Sequence, residues 1–134
     1  MGGIELKSPD EIEKMSRASR VVAEVLDALR HQVRPGVTTA ELDRFAEKFI
    51  VERGGIPAFK GYQVRDQVYR HTLCVSVNEA VVHGIPSGRV LKEGDIVGLD
   101  VGVIVDGYYG DAAITVPVGA ITEQARRLLQ ITEE

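Results

Sequence analysis

Two aspartates, Asp100 and Asp111, stand in the stretch GDIVGLDVGVIVDGYYGDAAITV from Gly94 to Val116, at a spacing that can grip a cation. The alternating apolar runs Ile96 to Val105 and Tyr108 to Val116 flank Asp106-Gly107, and an Asp-Gly pair between such runs predicts a tight β-hairpin. A two-residue turn puts Val105 opposite Tyr108 and, counting back, Gly102 opposite Asp111. Asp100 shares the face of Gly102, because side chains alternate with period two. The two carboxylates then point the same way as diagonal neighbours, roughly 7–8 Å apart at Cα, and the glycine leaves room between them for a divalent ion. The bland alternative is one aspartate at an exposed sheet edge and the other capping a turn. It ranks below a metal site, because two carboxylates on one side of a buried hairpin cannot both stay ionised without compensation.

The opposite face of the hairpin carries Val97, Leu99, Val101, Val103 and Val105 on one strand and Tyr108, Gly110, Ala112, Ile114 and Val116 on the other. Such a surface has to be covered by helices or a second sheet. The first candidate cover opens at Ser8-Pro9-Asp10-Glu11, a capping box with proline at the first helical position. Ile12, Met15, Ser19, Val22, Leu26, Leu29 and Val33 follow in steps of three and four, so an amphipathic helix is expected over 8–34, stopped by Pro35-Gly36. A second box, Thr38 with Glu41, opens a helix over 38–53 whose apolar face is Leu42, Phe45, Ala46, Phe49 and Ile50, ended by Gly54-Gly55.

Between Ile56 and Thr72 no period is sustained, which predicts a loop with short strands. Leu73 to Val77 reads as a strand, and strands are expected through 73–116, including the hairpin at 96–116. From Thr122 a third helix begins, with Leu128, Leu129 and Ile131 as its apolar positions. All of 1–134 is read as one α+β domain: an antiparallel sheet with the Asp-bearing hairpin at its centre, covered on one face by two long helices.

A formal charge of −4, with no basic patch or aromatic-basic interleaving, argues against nucleic acid as a partner. No apolar run approaches the roughly 18 residues of a membrane helix. Cys74 is the single cysteine, so no internal disulfide can form and a cytoplasmic setting is expected. His31 and His71 carry no chemistry on sequence grounds. His83 closes an apolar piece before Gly84-Ile85-Pro86, where its ring would be available to a cleft; alone it would be a surface histidine in a turn, and the carboxylate hairpin changes those odds.

Four stretches, IELKSPDEIEKM, VRPGVTTAELD, CVSVNEAVVHGIP and GDIVGLDVGVIVDGYYGD, make the chain resemble the N-terminal half of the type I methionine aminopeptidases, metallopeptidases of the pita-bread fold. The resemblance implies a hydrolase that removes N-terminal methionine from nascent proteins with two divalent ions, Co, Mn, Fe or Zn. By the same resemblance Asp100 and Asp111 match the first two metal ligands, and His83 matches the histidine that contacts the scissile peptide. The resemblance also implies that Phe59, Tyr62 and Cys74 match positions lining the family's methionine side-chain pocket. The chemistry suits those roles, since carboxylates with a nearby histidine accept such metals and two ions sharing a water bring its ionisation near neutrality.

Two departures matter. The stretch 61–70 is longer than the family pattern and lacks its proline, which bears on the methionine pocket. The family's remaining ligands, one histidine and two glutamates, fall in a C-terminal half beyond this sequence. A half-domain is therefore expected to be a weak or inactive peptidase as a monomer, rebuilt as a homodimer through a twofold axis or completed by a separate C-terminal half. The alternatives are an aminopeptidase P or prolidase relative, and a non-catalytic module that keeps the fold for binding.

Overall fold

The computed structural model describes residues 8–61, 63–64, 67–78, 85–120, 123, 126 and 127. Helix α1 runs Pro9–Gln32; the Ser8 hydroxyl accepts the Glu11 N–H and the Glu11 carboxylate accepts the Ser8 N–H, the reciprocal pair that fixes a helix start. Helix α2 runs Thr39–Glu52, with the Thr38 hydroxyl accepting the Glu41 N–H. Ser8 and Thr38 thus lie just outside their helices, as caps do.

The strands are β1 Ile56–Pro57, β2 Gln63–Val64, β3 Gln67–Val68, β4 Leu73–Val77, β5 Ile96–Val105 and β6 Tyr108–Pro117. Strand β5 is central: β6 pairs along one side, while β4 and β1 share the other, all antiparallel. Strands β2 and β3 form a separate small ribbon, so the aperiodic stretch 56–72 resolves into two short strand pairings. Of the segment expected as a third helix, residues 123, 126 and 127 are helical and the rest lies outside the described residues.

The helices cover one face of the sheet. Val97, Leu99, Val101 and Val103 of β5, Leu73 of β4, Leu29 of α1 and Ile50 of α2 are fully buried. Residues alternate between this core and the other face along β4 and most of β5, as a sheet covered on one side requires. Helix α1 approaches β6 backbone to backbone: a Cβ at Gly110 would stand 2.9 Å from the Ala18 carbonyl carbon and the Ser19 nitrogen. Arg17 meets Asp106 of the hairpin tip at 2.9 Å. One expectation fails here, since Ile12 and Met15 of the α1 stripe are 54% and 38% exposed. Among the described residues, the sheet meets this end of the helix through polar groups, Asp106 with Arg17 and the Tyr108 hydroxyl with Glu11, which do not cover an apolar stripe. On the edge strand β6 the cover also thins, and Ala112 is exposed although Gly110 and Val116 are buried.

Candidate metal centre

The turn that sets the site is chemically determined. Asp106 and Gly107 both have positive φ, 51° and 83°, the conformation of a two-residue turn whose twist matches the flanking strands. From it follows the register: Val105 faces Tyr108, Gly102 faces Asp111 and Asp100 faces Ala113. Asp100 and Asp111 therefore lie on one face, the one the helices leave open. Asp100, flanked by strands on both sides, is half-buried, and Asp111 on the edge strand is exposed.

The room over Gly102 is not open. A Cβ there would come within 2.9 Å of Phe59 Cε1 and 3.1 Å of Ala58 Cβ, because the Ala58 N–H donates to the Gly102 carbonyl at 2.9 Å and draws the end of β1 across the strand. The glycine admits an aromatic ring rather than an ion. Phe59 is thereby brought to the carboxylate face, where the side-chain pocket was expected. On the other flank Cys74 pairs with Asp100, and directly opposed residues stand about 4.5–5.5 Å apart at Cβ. Burial pushes the Cys74 thiol above its ordinary pKa, and the charges of Asp100 and Asp43 push the same way against a hydrogen bond with Tyr69.

Tyr62 and His83, expected in the pocket and at the scissile bond, lie outside the described residues. Two hard carboxylate oxygens among small neighbours, Gly98 and Ala113, fit a divalent ion of the Mn, Fe, Co or Zn kind. They are few, however: among the described residues no three His, Cys, Asp or Glu side chains converge as a metal site does. Asp100 and Asp111 can contribute to such a centre without completing it.

The residues from Tyr69 to Thr72 and their partner on α2 were not legible as a site. The Tyr69 hydroxyl donates to the Leu73 carbonyl and is hydrogen-bonded with Cys74; burial first, then Cys74 and the nearby carboxylates, raises its pKa far above the ordinary phenol value. The His71 ring packs edge-on against Tyr69, centroids 5.6 Å apart, and its Nδ1 lies 3.5 Å from Asp43 Oδ2. Asp43, only 8% exposed, accepts the N–H groups of Thr72 and Leu73 at 2.8 Å each. A signal existed: Asp43 precedes Ala46 and Ile50 by three and seven residues, a carboxylate on the buried stripe of a helix.

The description "Metallopeptidase family M24" matches residues 13–134. Methionine aminopeptidase 1 of Bacillus subtilis is 48% identical over 128 residues, covering 96% of this chain and 50% of that protein. The solved methionine aminopeptidase of Thermotoga maritima superposes with a TM-score of 0.90 at 42% identity, over 98% of this chain and 51% of the other. An Xaa-Pro dipeptidase from Bacillus anthracis reaches 0.79 at 24% identity, over 96% of this chain and 34% of its own, a likeness of fold alone. The chain spans about half the length of the curated relatives it matches, and its α+β architecture is that of one half of the pita-bread fold.

Proposed function

Because the chain belongs to metallopeptidase family M24, we propose that it supplies Asp100 and Asp111 to a two-ion centre that removes N-terminal methionine from nascent proteins in the cytoplasm. The observation that carries the reading is the register: the turn at Asp106-Gly107 sets both carboxylates on the uncovered face, with Asp100 opposite Ala113 and Asp111 opposite Gly102. Asp100 and Asp111 would hold the ions, of the Co, Mn, Fe or Zn class. When bound, such ions polarise a peptide carbonyl and ease the ionisation of water.

Around them, Phe59 and Cys74 flank the carboxylates and, with Tyr62, would receive the methionine side chain. Phe59 over Gly102 makes one apolar wall and the neutral Cys74 thiol offers a soft, uncharged contact to a thioether. His83 would hydrogen-bond the scissile peptide. Two carboxylates do not fix two ions, so another surface must add ligands: either a second copy of this chain across a twofold axis, or the stretch that makes up the other half of the relatives' length. No described helix is long and apolar enough to cross a membrane, which fits a substrate met in solution. The prolidase reading gains nothing from a likeness of fold at 24% identity.

Titrating Mn²⁺ or Co²⁺ into metal-free protein by calorimetry tests the centre. Asp111→Asn should weaken binding by at least about tenfold while the melting temperature holds, since Asp111 is exposed. A wild-type chain that takes up no metal at millimolar concentration refutes the reading. His83→Ala should spare metal uptake and slow the hydrolysis of Met-Gly-Met in whichever assembly hydrolyses it. Light scattering during the titration separates the two routes: a dimer formed with metal supports pairing of copies, and a monomer throughout supports completion by a further segment.

A further inference from the structure

The start of β4 decides what faces Asp100. Leu73 pairs with Val101 and Cys74 with Asp100, so Leu73 enters the core and Cys74 the carboxylate face. A slip of one residue would exchange them, turning every side chain of the strand to the wrong side. The loop before β4 has little pattern of its own to prevent this. The burial of Leu73, Val75 and Val77 opposes a slip from within the strand, and a carboxylate from helix α2 ties the loop to the same register: one oxygen of Asp43 accepts both the Thr72 and Leu73 N–H groups at 2.8 Å, and the other stands 3.5 Å from His71 Nδ1. Thr72 and Leu73 are fully buried, so their amides have no ready alternative in water, and bonds to an ionised acceptor are about twice as strong as neutral ones.

We propose that Asp43 is a positioning residue, which fixes the register of β4 and the seat of Tyr69 and His71, and so holds Cys74 beside Asp100. The path is continuous. Asp43 holds His71, the His71 ring rests edge-on against Tyr69, and Tyr69 is hydrogen-bonded to the Leu73 carbonyl and to Cys74. A carboxylate serving stability alone could take any buried amides. This one takes the two that immediately precede Cys74, across 29 and 30 residues of sequence. The inference rests on reading the carboxylate face as the substrate side, and the residues Asp43 anchors directly follow the stretch that departs from the family pattern.

Cys74 is the only cysteine in the chain, which makes it a reporter. Its alkylation by iodoacetamide at one fixed pH, on metal-free native protein, reads whether the thiol keeps its half-buried seat. Asp43→Ala should alkylate about tenfold faster through local opening. Asp43→Asn, which keeps an acceptor oxygen for both amides, should stay within about threefold of wild type, the margin allowing for the lost charge. Val22→Ala, a core substitution on the other helix, α1, serves as a control for general destabilisation and should leave the rate near wild type.

Asp43→Ala alkylating no faster than Val22→Ala, or Asp43→Asn alkylating as fast as Asp43→Ala, would overturn the proposal. If Asp43→Ala does not fold, deuterium exchange on the wild-type chain decides: the Thr72 and Leu73 amides should exchange as slowly as those of β5, and exchange at the rate of exposed loop amides refutes the tether. Neither measurement involves metal. A failed metal titration would leave this result standing, and a failed tether would leave the metal reading standing.

Discussion

On the helix-covered side of β5, Val97, Leu99, Val101 and Val103 are completely buried. On the other face Gly98, Asp100 and Ile104 are only half-buried, Gly102 is buried against the Phe59 ring, and Ala113 opposite Asp100 and Asp111 opposite Gly102 are exposed. The same backbone supports both, so strand pairing cannot be what separates a stabilising face from a chemical one. What separates them is what lies above. Two amphipathic helices exclude water from the valines, whereas on the carboxylate side, among the described residues, the ring of Phe59 stands against Gly102. Stability is therefore concentrated on one face, and the other can carry charge and a thiol.

The comparison is broken most severely by moving a charge between the faces. Val101→Asp forfeits about 1.5–3 kcal/mol of apolar burial and leaves an unpaired carboxylate in the core, a total above about 4 kcal/mol that should abolish cooperative unfolding in circular dichroism. Ala113→Asp, on the exposed partner strand, should cost no more than about 1 kcal/mol, the like charge facing Asp100 included. Equal losses from the two would mean that the open face is buried in solution.

Two glycines sharpen the contrast at smaller cost. At Gly110 an added Cβ meets the backbone of α1, 2.9 Å from Ala18 C and Ser19 N, and a helix must shift, so Gly110→Ala should cost about 1–3 kcal/mol in urea unfolding. At Gly102 the nearest atom is the edge of the Phe59 ring, also at 2.9 Å, which can turn aside, and Ala58 Cβ at 3.1 Å need give only a few tenths of an ångström. Gly102→Ala should cost less than about 1 kcal/mol. Equal penalties would mean that Phe59 is as immovable as a helix.

These differences also mark what could be read from sequence. The hairpin register was legible because two independent rules agree on it: alternation assigns the faces, and Asp106-Gly107 demands positive φ. The helix starts were legible because Ser8 and Thr38 bond only three residues ahead. Phe59 over Gly102 was not, since the stretch that delivers it has no period and its anchor is a backbone bond from Ala58. Asp43 was missed for a related reason: its partners are main-chain amides of unremarkable residue types, far away in sequence. The exposure of Ile12 and Met15 was missed because a stripe tells which side of a helix is apolar and not how far the opposing sheet extends.

The smallest effect expected from the comparison is a pH dependence, and its first part, in the thiol range, comes from the open face. Val97, Leu99, Val101 and Val103 do not titrate, whereas burial raises the Cys74 thiol, and Tyr69 still more. A group whose folded pKa exceeds its unfolded one contributes stability that is complete below the unfolded value and lost as pH rises through the folded one. For Cys74 the loss should begin near the ordinary thiol pKa of about 8.5, ahead of Tyr69, whose ordinary value is about 10. The melting temperature of metal-free protein should therefore fall slightly between about pH 8 and 9.5, and Cys74→Ser, which cannot titrate there, should flatten that part of the curve. The half-exposed thiol is screened by solvent, so the slope is modest. If wild type and Cys74→Ser fall in parallel, the thiol ionises as freely folded as unfolded, and the carboxylate face is wetter around Cys74 than its burial between Tyr69 and Asp100 implies.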